Sequence, residues 1–225
     1  MLAQQKRNIK GFSLIELLVV LALIGVVAGV GFPQFSKWSK DREIRSQHEK
    51  IGTYLTSAVS HVERGSYPYI QIKFSIVSKE NTVMVRGLPQ EKFSFLLNQG
   101  TDLDCSDDNF SNTNGGIELL NETLSDKIEI FPSINDDKKF FSICFSKGGK
   151  YFKKTGNAVG VGVGPVGFES LKTPSYNYIV ICSSGSTCNP TTPALDKFTY
   201  GIKYSRFGLI EKYKWSEVNG KWNSR

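Results

Sequence analysis

The first strong pattern in the chain is an apolar stretch at residues 12–32, which contains a single charged residue, Glu16. A helix rises about 1.5 Å per residue, so this stretch would be roughly 31 Å long, enough to cross the hydrocarbon core of a bilayer. Basic residues precede it on one side only, at Lys6, Arg7 and Lys10. This asymmetry predicts a single transmembrane helix with its N-terminus in the cytoplasm.

A conventional secretory signal peptide has the same order of basic and apolar residues, so a secreted β-rich binding protein is the alternative interpretation. Two features disfavour it. The apolar run is longer than the roughly 7–15 residues of such peptides, and the best cleavage candidate, 28–31, is poor. In addition, the carboxylate of Glu16 lies inside the run, and an acid within a membrane segment is by default a functional residue.

Beyond Pro33, apolar positions recur at the spacing of a helix. They predict an amphipathic helix over residues 33–64 that buries one face, and Gly65 and Pro68 are the expected stop signals. Pro33 ends the apolar run and, inside a helix, would kink it. The predicted buried positions are Ile44, His48, Ile51, Leu55, Ala58 and Val62.

After Gly65 the period changes to two, which is typical of half-buried strands. We therefore expect an α+β fold in which one long N-terminal helix packs on an antiparallel β-sheet, with strands alone after the helix. Residues 99–114 are polar and predict a long surface loop. The predicted strands lie around residues 70–76, 83–85, 128–131, 140–145, 176–182, 198–204 and 209–215.

The composition fits a folded chain of one or two domains: of its 225 residues 40% are hydrophobic and 22% are charged. The net charge is +7, but the first ten residues hold three of these charges and no acid, which leaves +4 for the rest. The C-terminal end combines cations with aromatic residues, a composition that suits binding to DNA. The solvated side of a hairpin explains the same pattern. The basic residues are Lys197, Lys203, Arg206, Lys212, Lys214, Lys221 and Arg225.

The four cysteines form no Cys-x-x-Cys pair, which disfavours a zinc ribbon or a thioredoxin-like site. An even number of cysteines in an exported chain favours disulfides, and buried free thiols are the alternative. The short Ser/Gly/Thr-rich spacer between Cys182 and Cys188 favours a local bridge between these two cysteines. Cys105 and Cys144 then remain to pair with each other.

Catalytic and metal motifs carry little weight in this chain. We find no defensible Ser/His/Asp set, His-Glu-x-x-His motif or cofactor fingerprint, so we predict no enzyme, no cofactor and no metal site. The two histidines, His48 and His61, are interpreted as structural. Four aspartates crowd one loop and could hold calcium, but they lack the EF-hand pattern, and a solvated acidic loop is favoured. They are Asp102, Asp104, Asp107 and Asp108.

Residues 11–16, Gly-Phe-Ser-Leu-Ile-Glu, follow a short basic leader and open the apolar helix. This segment resembles the prepilin cleavage and methylation motif of type IV pilins and type II secretion pseudopilins. The resemblance implies that a prepilin peptidase cuts after Gly11 and methylates the new amine of Phe12. It also implies that Glu16 pairs with the N-terminal amine of a neighbouring subunit in a filament.

A weaker similarity, over residues 141–157, is to the paired strands of the FimT or protein H pseudopilin domain. Together the two resemblances imply a minor pilin or pseudopilin whose partners are other pilins, the prepilin peptidase and the bacterial inner membrane, with DNA as a further candidate. They leave open whether the filament belongs to a pilus, a competence system or a secretion system. The expected segments are a leader (1–11), a transmembrane or filament-core helix (12–32), an amphipathic helix (33–64) and a β-rich domain in the periplasm or at the cell surface (65–225).

Overall fold

The structure is a computed structural model, and it divides the chain into two compact units, Met1–Asp41 and Arg42–Arg225. The residues described are 13–77, 80–100, 103, 105, 108–111, 115–132, 134–135, 140–150, 153–155, 157–158, 177–185, 198–218 and 220–224, with the side chains of 30–34, 77, 108, 132, 134–135, 153–155 and 157–158 left aside.

A single long helix, α1 (Leu14–Glu63), begins in the first unit and ends in the second. It continues through Pro33, which therefore does not end it. In the first unit the described side chains of the helix are exposed almost throughout, including its large apolar residues.

Among the residues that the structure describes, no helix qualifies as both long and apolar enough to cross a membrane. The predicted span at 12–32 includes Phe12 and the side chains of 30–32, which lie outside the described residues. The leader at 1–11 lies outside them as well. The membrane span and the leader therefore stay predictions.

In the second unit α1 buries the stripe that its spacing predicts: Ile44, His48, Ile51, Leu55, Ala58 and Val62 are all at most 1% exposed. The helix ends in a Schellman motif at Gly65, whose φ of 75° is in the left-handed region that glycine adopts without strain. The Gly65 amide donates to the Val62 carbonyl and the Ser66 amide to the His61 carbonyl, both at 3.0 Å. Two otherwise unpaired carbonyls of the last turn are thus satisfied.

The remaining described elements form antiparallel sheets, which confirms the predicted α+β class. One sheet has the order β3-β2-β1-β6-β7, a second has the order β12-β11-β10-β9-β4, and β5 pairs with β8. The elements are β1 (Tyr69–Val77), β2 (Glu80–Leu88), α2 (Gln90–Asn98), β3 (Ile117–Thr123), β4 (Ile128–Pro132), β5 (Ile134–Asn135), β6 (Phe140–Ser146), β7 (Lys153–Thr155), β8 (Asn157–Ala158), β9 (Tyr178–Ser183), β10 (Tyr200–Tyr204), β11 (Ile210–Ser216) and β12 (Lys221–Ser224).

The main core lies where the buried stripe of α1 meets both five-stranded sheets. Alternate residues of β1 and of β10 join this cluster, as the period of two requires. Fully burying one such side chain contributes about 1.5–3 kcal/mol, so this shared core is the main source of stability. The strand residues are Ile70, Ile72 and Phe74 of β1 and Tyr200, Ile202 and Tyr204 of β10.

Two expectations about the region after β2 are wrong. The chain there forms a second helix, α2, and the supposed surface loop buries Leu103, Cys105 and Phe110. These residues pack with Tyr69 and Phe93 in a small second core. The loop was interpreted as exposed because its apolar residues are few and scattered among polar ones, and only contacts with distant elements bury them.

Candidate functional site

Residues 14–29 of α1, in the first unit, present an almost fully apolar surface to their surroundings. Leu14 is 77% exposed and Val27 is 71% exposed, and large apolar residues between them are exposed by about half or more. Isolated exposed apolar side chains are ordinary, but a contiguous surface of this kind marks an interaction site or a membrane contact. This surface is the first part of the candidate site.

Glu16 is the acid of this surface and lies in the first turn of α1. The first backbone amides of a helix lack partners within it, and the helix dipole is positive there, so a carboxylate is favourable at this position. The side chain is exposed and can therefore receive a cation from another molecule. Gly11 and Phe12, the predicted cleavage and methylation residues, lie outside the described residues.

In the second unit, two consecutive residues of α1 are ion-paired with different sheets. Glu49 accepts a hydrogen bond from Lys212 of β11, with 2.5 Å between Oε2 and Nζ. The ammonium of Lys50 lies 2.8 Å from the carboxylate of Glu122 on β3. We call this pair of contacts the double clasp. Because neighbouring residues on a helix point about 100° apart, the double clasp fixes the rotation of α1 about its own axis between the two sheets.

Gly52 makes room for one half of the double clasp. A β-carbon at this position would lie 2.5 Å from Cε of Lys212, so a glycine lets the lysine side chain cross the helix surface to reach Glu49. The hydrogen bond from Lys212 lowers the pKa of Glu49, the partial burial of the carboxyl opposes this shift, and the charges of Lys212, His48 and Arg45 add to it. The pair is therefore strongest when the carboxylate is ionised.

We predict that Lys212→Met lowers the free energy of unfolding by about 0.2–1 kcal/mol at pH 7, as is usual for a partly exposed pair. A carboxyl whose pKa is lowered in the folded state stabilises the fold above its unfolded pKa, and this contribution is lost as the pH falls. The difference between variant and wild type should therefore be smaller at pH 3 than at pH 7, because pH 3 lies below the ordinary pKa of 4.5. Denaturant unfolding of the full chain at the two pH values measures it.

Lys221→Met is the matched control, because Lys221 is exposed on β12. It should change the stability little, with no pH dependence of this kind. An effect of Lys212→Met that is equal at pH 3 and pH 7 would contradict an ionic origin and indicate packing of the lysine stem instead.

Residues 6–32 match the family model described as the prokaryotic N-terminal methylation motif. The chain is 28% identical over 89 residues to the fimbrial protein EcpB of Eikenella corrodens, and 32% identical over 56 residues to a fimbrial protein of Pseudomonas aeruginosa. These matches support the resemblance of the chain to the type IV pilin family.

The similarity of this chain to its curated relatives is partial. The matched segments are 39% and 25% of this chain, and they cover 56% of EcpB and 36% of the Pseudomonas protein. No solved structure matches the chain. The prediction of a FimT or protein H branch is thus a finer statement than these comparisons reach.

The predicted basic residues of the C-terminal region do not form one surface within the described residues. Lys203 pairs with Glu211, with 3.1 Å between Nζ and Oε2. Lys212 and Lys214 lie opposite Ile202 and Tyr200 in the ladder, so they project from the other face of the sheet than Lys203 does. The ammonium of Lys214 lies 5.1 Å from the centre of the Tyr200 ring, and the guanidinium of Arg206 lies 4.6 Å from the centre of the Phe207 ring. Lys221 is exposed on β12. Lys197 and Arg225 lie outside the described residues.

The aromatic residues of this C-terminal region are mostly buried. Tyr200 and Tyr204 belong to the main core, and Trp215 and Trp222 pack edge to face, 5.6 Å apart, in another cluster. Only exposed rings can stack on bases, and Phe207 is the one such ring between residues 198 and 218. Sheet packing thus explains the aromatic composition, and the DNA-binding hypothesis gains no support from this arrangement.

The two histidines occupy different environments. His48 is fully buried, and its Nε2 donates to the Gly201 carbonyl at 3.1 Å, which ties α1 to β10. His61 lies edge-on to the ring of Tyr67 at 6.1 Å. Among the described residues, no group of three His, Cys, Asp or Glu side chains could hold a metal ion. Of the acidic loop, Asp102, Asp104 and Asp107 lie outside those residues.

Cys105 and Cys144 form a disulfide with 5.7 Å between their α-carbons, so the structure contains this one of the two predicted bridges. Gln71 supports it from β1, because its side-chain amide donates to the Cys105 carbonyl at 3.1 Å. Cys182 is disulfide-bonded as well. Its predicted partner, Cys188, lies outside the described residues, and that pairing stays a prediction.

Sequence reasoning found the N-terminal motif and the cysteines but missed the double clasp. Glu49 and Lys212 are 163 positions apart, and no local pattern relates them. The only available signal was a charge next to the buried stripe of α1, and Arg45 gives the same signal without belonging to the double clasp.

Proposed function

We propose that this chain is a minor type IV pilin or pseudopilin, a structural subunit of a pilus or of a type II secretion filament. The observation that carries the proposal is the exposed apolar surface of α1 in the first unit, together with the α+β fold of the second unit. The N-terminal motif and the similarity to fimbrial proteins support it. The weaker similarity at 141–157 supports a minor rather than a major subunit.

Before assembly, residues 12–32 hold the precursor in the bacterial inner membrane, with the basic leader in the cytoplasm. The domain then lies in the periplasm and later in the filament or at the cell surface. The Cys105–Cys144 disulfide supports this side of the membrane, because disulfides persist in oxidising compartments. A prepilin peptidase removes residues 1–11 after Gly11 and methylates the amine of Phe12.

In the filament, the carboxylate of Glu16 pairs with the charged N-terminal amine of a neighbouring subunit. A single charge is costly in an apolar surrounding, whereas two opposite charges in contact offset each other. Because the pair forms at only one axial position of two adjacent helices, it selects the register of assembly.

We expect Glu16→Leu to be processed and held in the membrane like the wild type but to enter filaments about tenfold less, which corresponds to about 1.4 kcal/mol. The substitution makes the membrane segment more apolar, so insertion does not suffer, and only the pairing is lost. Immunoblots of sheared filaments and of membranes give the two amounts.

Glu63→Leu is the matched control, because Glu63 is also an exposed acid of α1 but lies at its other end. It should enter filaments normally. Wild-type amounts of Glu16→Leu in sheared filaments would exclude the pairing of Glu16 with the amine.

A further inference from the structure

Two aromatic rings lie on the exposed surface of α1 shortly after the predicted membrane segment. Phe35 is 65% exposed and Trp38 is 56% exposed, and their ring centres are 5.9 Å apart, one helical turn from each other. They differ from the residues before them because the chain here becomes basic, with Lys37 and Lys40 between and after the rings.

The distances place this group at the edge of a bilayer. If residues 12–32 fill the hydrocarbon core, the α-carbons of Phe35 and Trp38 lie about 4.5 Å and 9 Å beyond its end, at 1.5 Å per residue. The headgroup layer on one side is about 5–8 Å thick. The Cα–Cβ bonds of a helix lean toward its N-terminus, which here is the membrane side, so both rings reach back toward the acyl chains.

The charges are distributed around the helix in a way that suits this layer. At 100° per residue, Phe35 and Trp38 lie on one side of α1, and Lys37 and Lys40 lie on the opposite side. Aromatic rings with polar surroundings are enriched at both membrane interfaces, and ammonium groups bind lipid phosphates there. An apolar face alone could pack against a protein or a lipid. Lysines on the opposite face favour the lipid headgroup layer, because this layer surrounds the helix and offers phosphates on every side.

We infer that Phe35 and Trp38, with Lys37 and Lys40, form an interfacial anchor that binds the phosphate headgroups of anionic lipids and sets the depth of the precursor helix before assembly. The inference rests on the proposed membrane insertion and deepens it. The anchor defines where the domain begins to leave the bilayer, independently of the cleavage at Gly11.

Tryptophan fluorescence of the full chain in vesicles tests the anchor. The three tryptophans are Trp38, Trp215 and Trp222, and the latter two are each only 7% exposed. In vesicles of phosphatidylcholine and phosphatidylglycerol, we expect lipids brominated near the headgroup to quench the emission at least about twofold more than lipids brominated at the chain ends. Trp38→Phe should abolish this quenching.

The matched control is Trp38→Phe/Phe207→Trp, which moves the reporter to an exposed aromatic position of the domain. It should show no lipid quenching. In the wild type, quenching by the headgroup-brominated lipids should be stronger in these vesicles than in vesicles of phosphatidylcholine alone, because the lysines bind anionic phosphates. Lys37→Gln/Lys40→Gln should remove this difference.

The outcomes separate the anchor from the membrane insertion itself. If the chain resists alkaline extraction from the vesicles but Trp38 is not quenched, or is quenched most at the chain ends, the anchor is overturned and the insertion stands. If Phe35→Ala/Trp38→Ala then also reduces filament incorporation, the rings contact another subunit instead. A chain that alkali washes off the vesicles would overturn the insertion and the anchor with it.

Discussion

A Gly11→Val precursor should accumulate at full length in the inner membrane, with no detectable mature form. The peptidase must approach the backbone on both sides of the scissile bond, and a residue without a β-carbon leaves room for this and adopts extended conformations freely. A β-branched valine at the same position restricts the backbone and fills that space. Intact-mass measurement of the membrane-extracted protein detects both the retained residues 1–11 and the missing methyl group.

Gly25→Val is the matched control for this prediction. A β-carbon at Gly25 meets no atom within 4 Å, and the position lies on the exposed surface of α1. The control should therefore be processed normally. Normal maturation of Gly11→Val would refute the assigned role of Gly11, whereas a wild-type chain that begins near residue 30 would favour a conventional signal peptide and a secreted binding protein.

The double variant Cys105→Ala/Cys144→Ala should lose about 4 kcal/mol of unfolding free energy. The bridge closes a loop between residues 39 positions apart, which lowers the conformational entropy of the unfolded chain. For a loop of this length the effect stabilises the folded state by about 4 kcal/mol, and the double variant loses this contribution. Both cysteines are at most 1% exposed, so a serine at either position would bury a hydroxyl in the small second core. Alanine avoids this additional cost. Urea unfolding of the full chain, followed by near-ultraviolet circular dichroism, measures the change.

Reduction of the wild type should lower the free energy of unfolding at least as much as the double variant does, because it also opens the disulfide of Cys182. A double variant within about 1 kcal/mol of the wild type would show that the core around Tyr69 and Phe93 holds this segment without the bridge. Alkylation of the unreduced, denatured wild type is the complementary test, and labelling of all four cysteines would rule out both predicted bridges.

The sequence was most informative where the deciding contacts repeat locally. The spacing of Ile44, Ile51 and Leu55 identified the buried face of α1, because a helix brings every third or fourth residue to one side. The alternation at β1 and β10 identified strands for the same reason. The division into two sheets was not predicted, because no local pattern tells which strands pair.

Burial by distant elements was the main source of error. Phe110 lies among polar residues in the sequence, but it is completely buried because it packs in a cluster with distant residues, including Tyr69 at 5.3 Å between ring centres. The basic C-terminal region shows the converse error. Its cations and rings looked like a single binding composition, but the pleat of the sheet places Lys203 and Lys212 on opposite faces and directs Tyr200 into the core.

The double clasp also constrains how this domain can change over time. Glu49 and Lys50 face oppositely charged residues, Lys212 and Glu122, on different sheets. Exchanging the order of the two helix charges would place like charges next to each other in both pairs. Each repulsion is removed only if the strand residue of that pair also changes its sign of charge. These four positions should therefore covary as two pairs during evolution, so that a reversal of charge on the helix is accompanied by a reversal of charge on the paired strand.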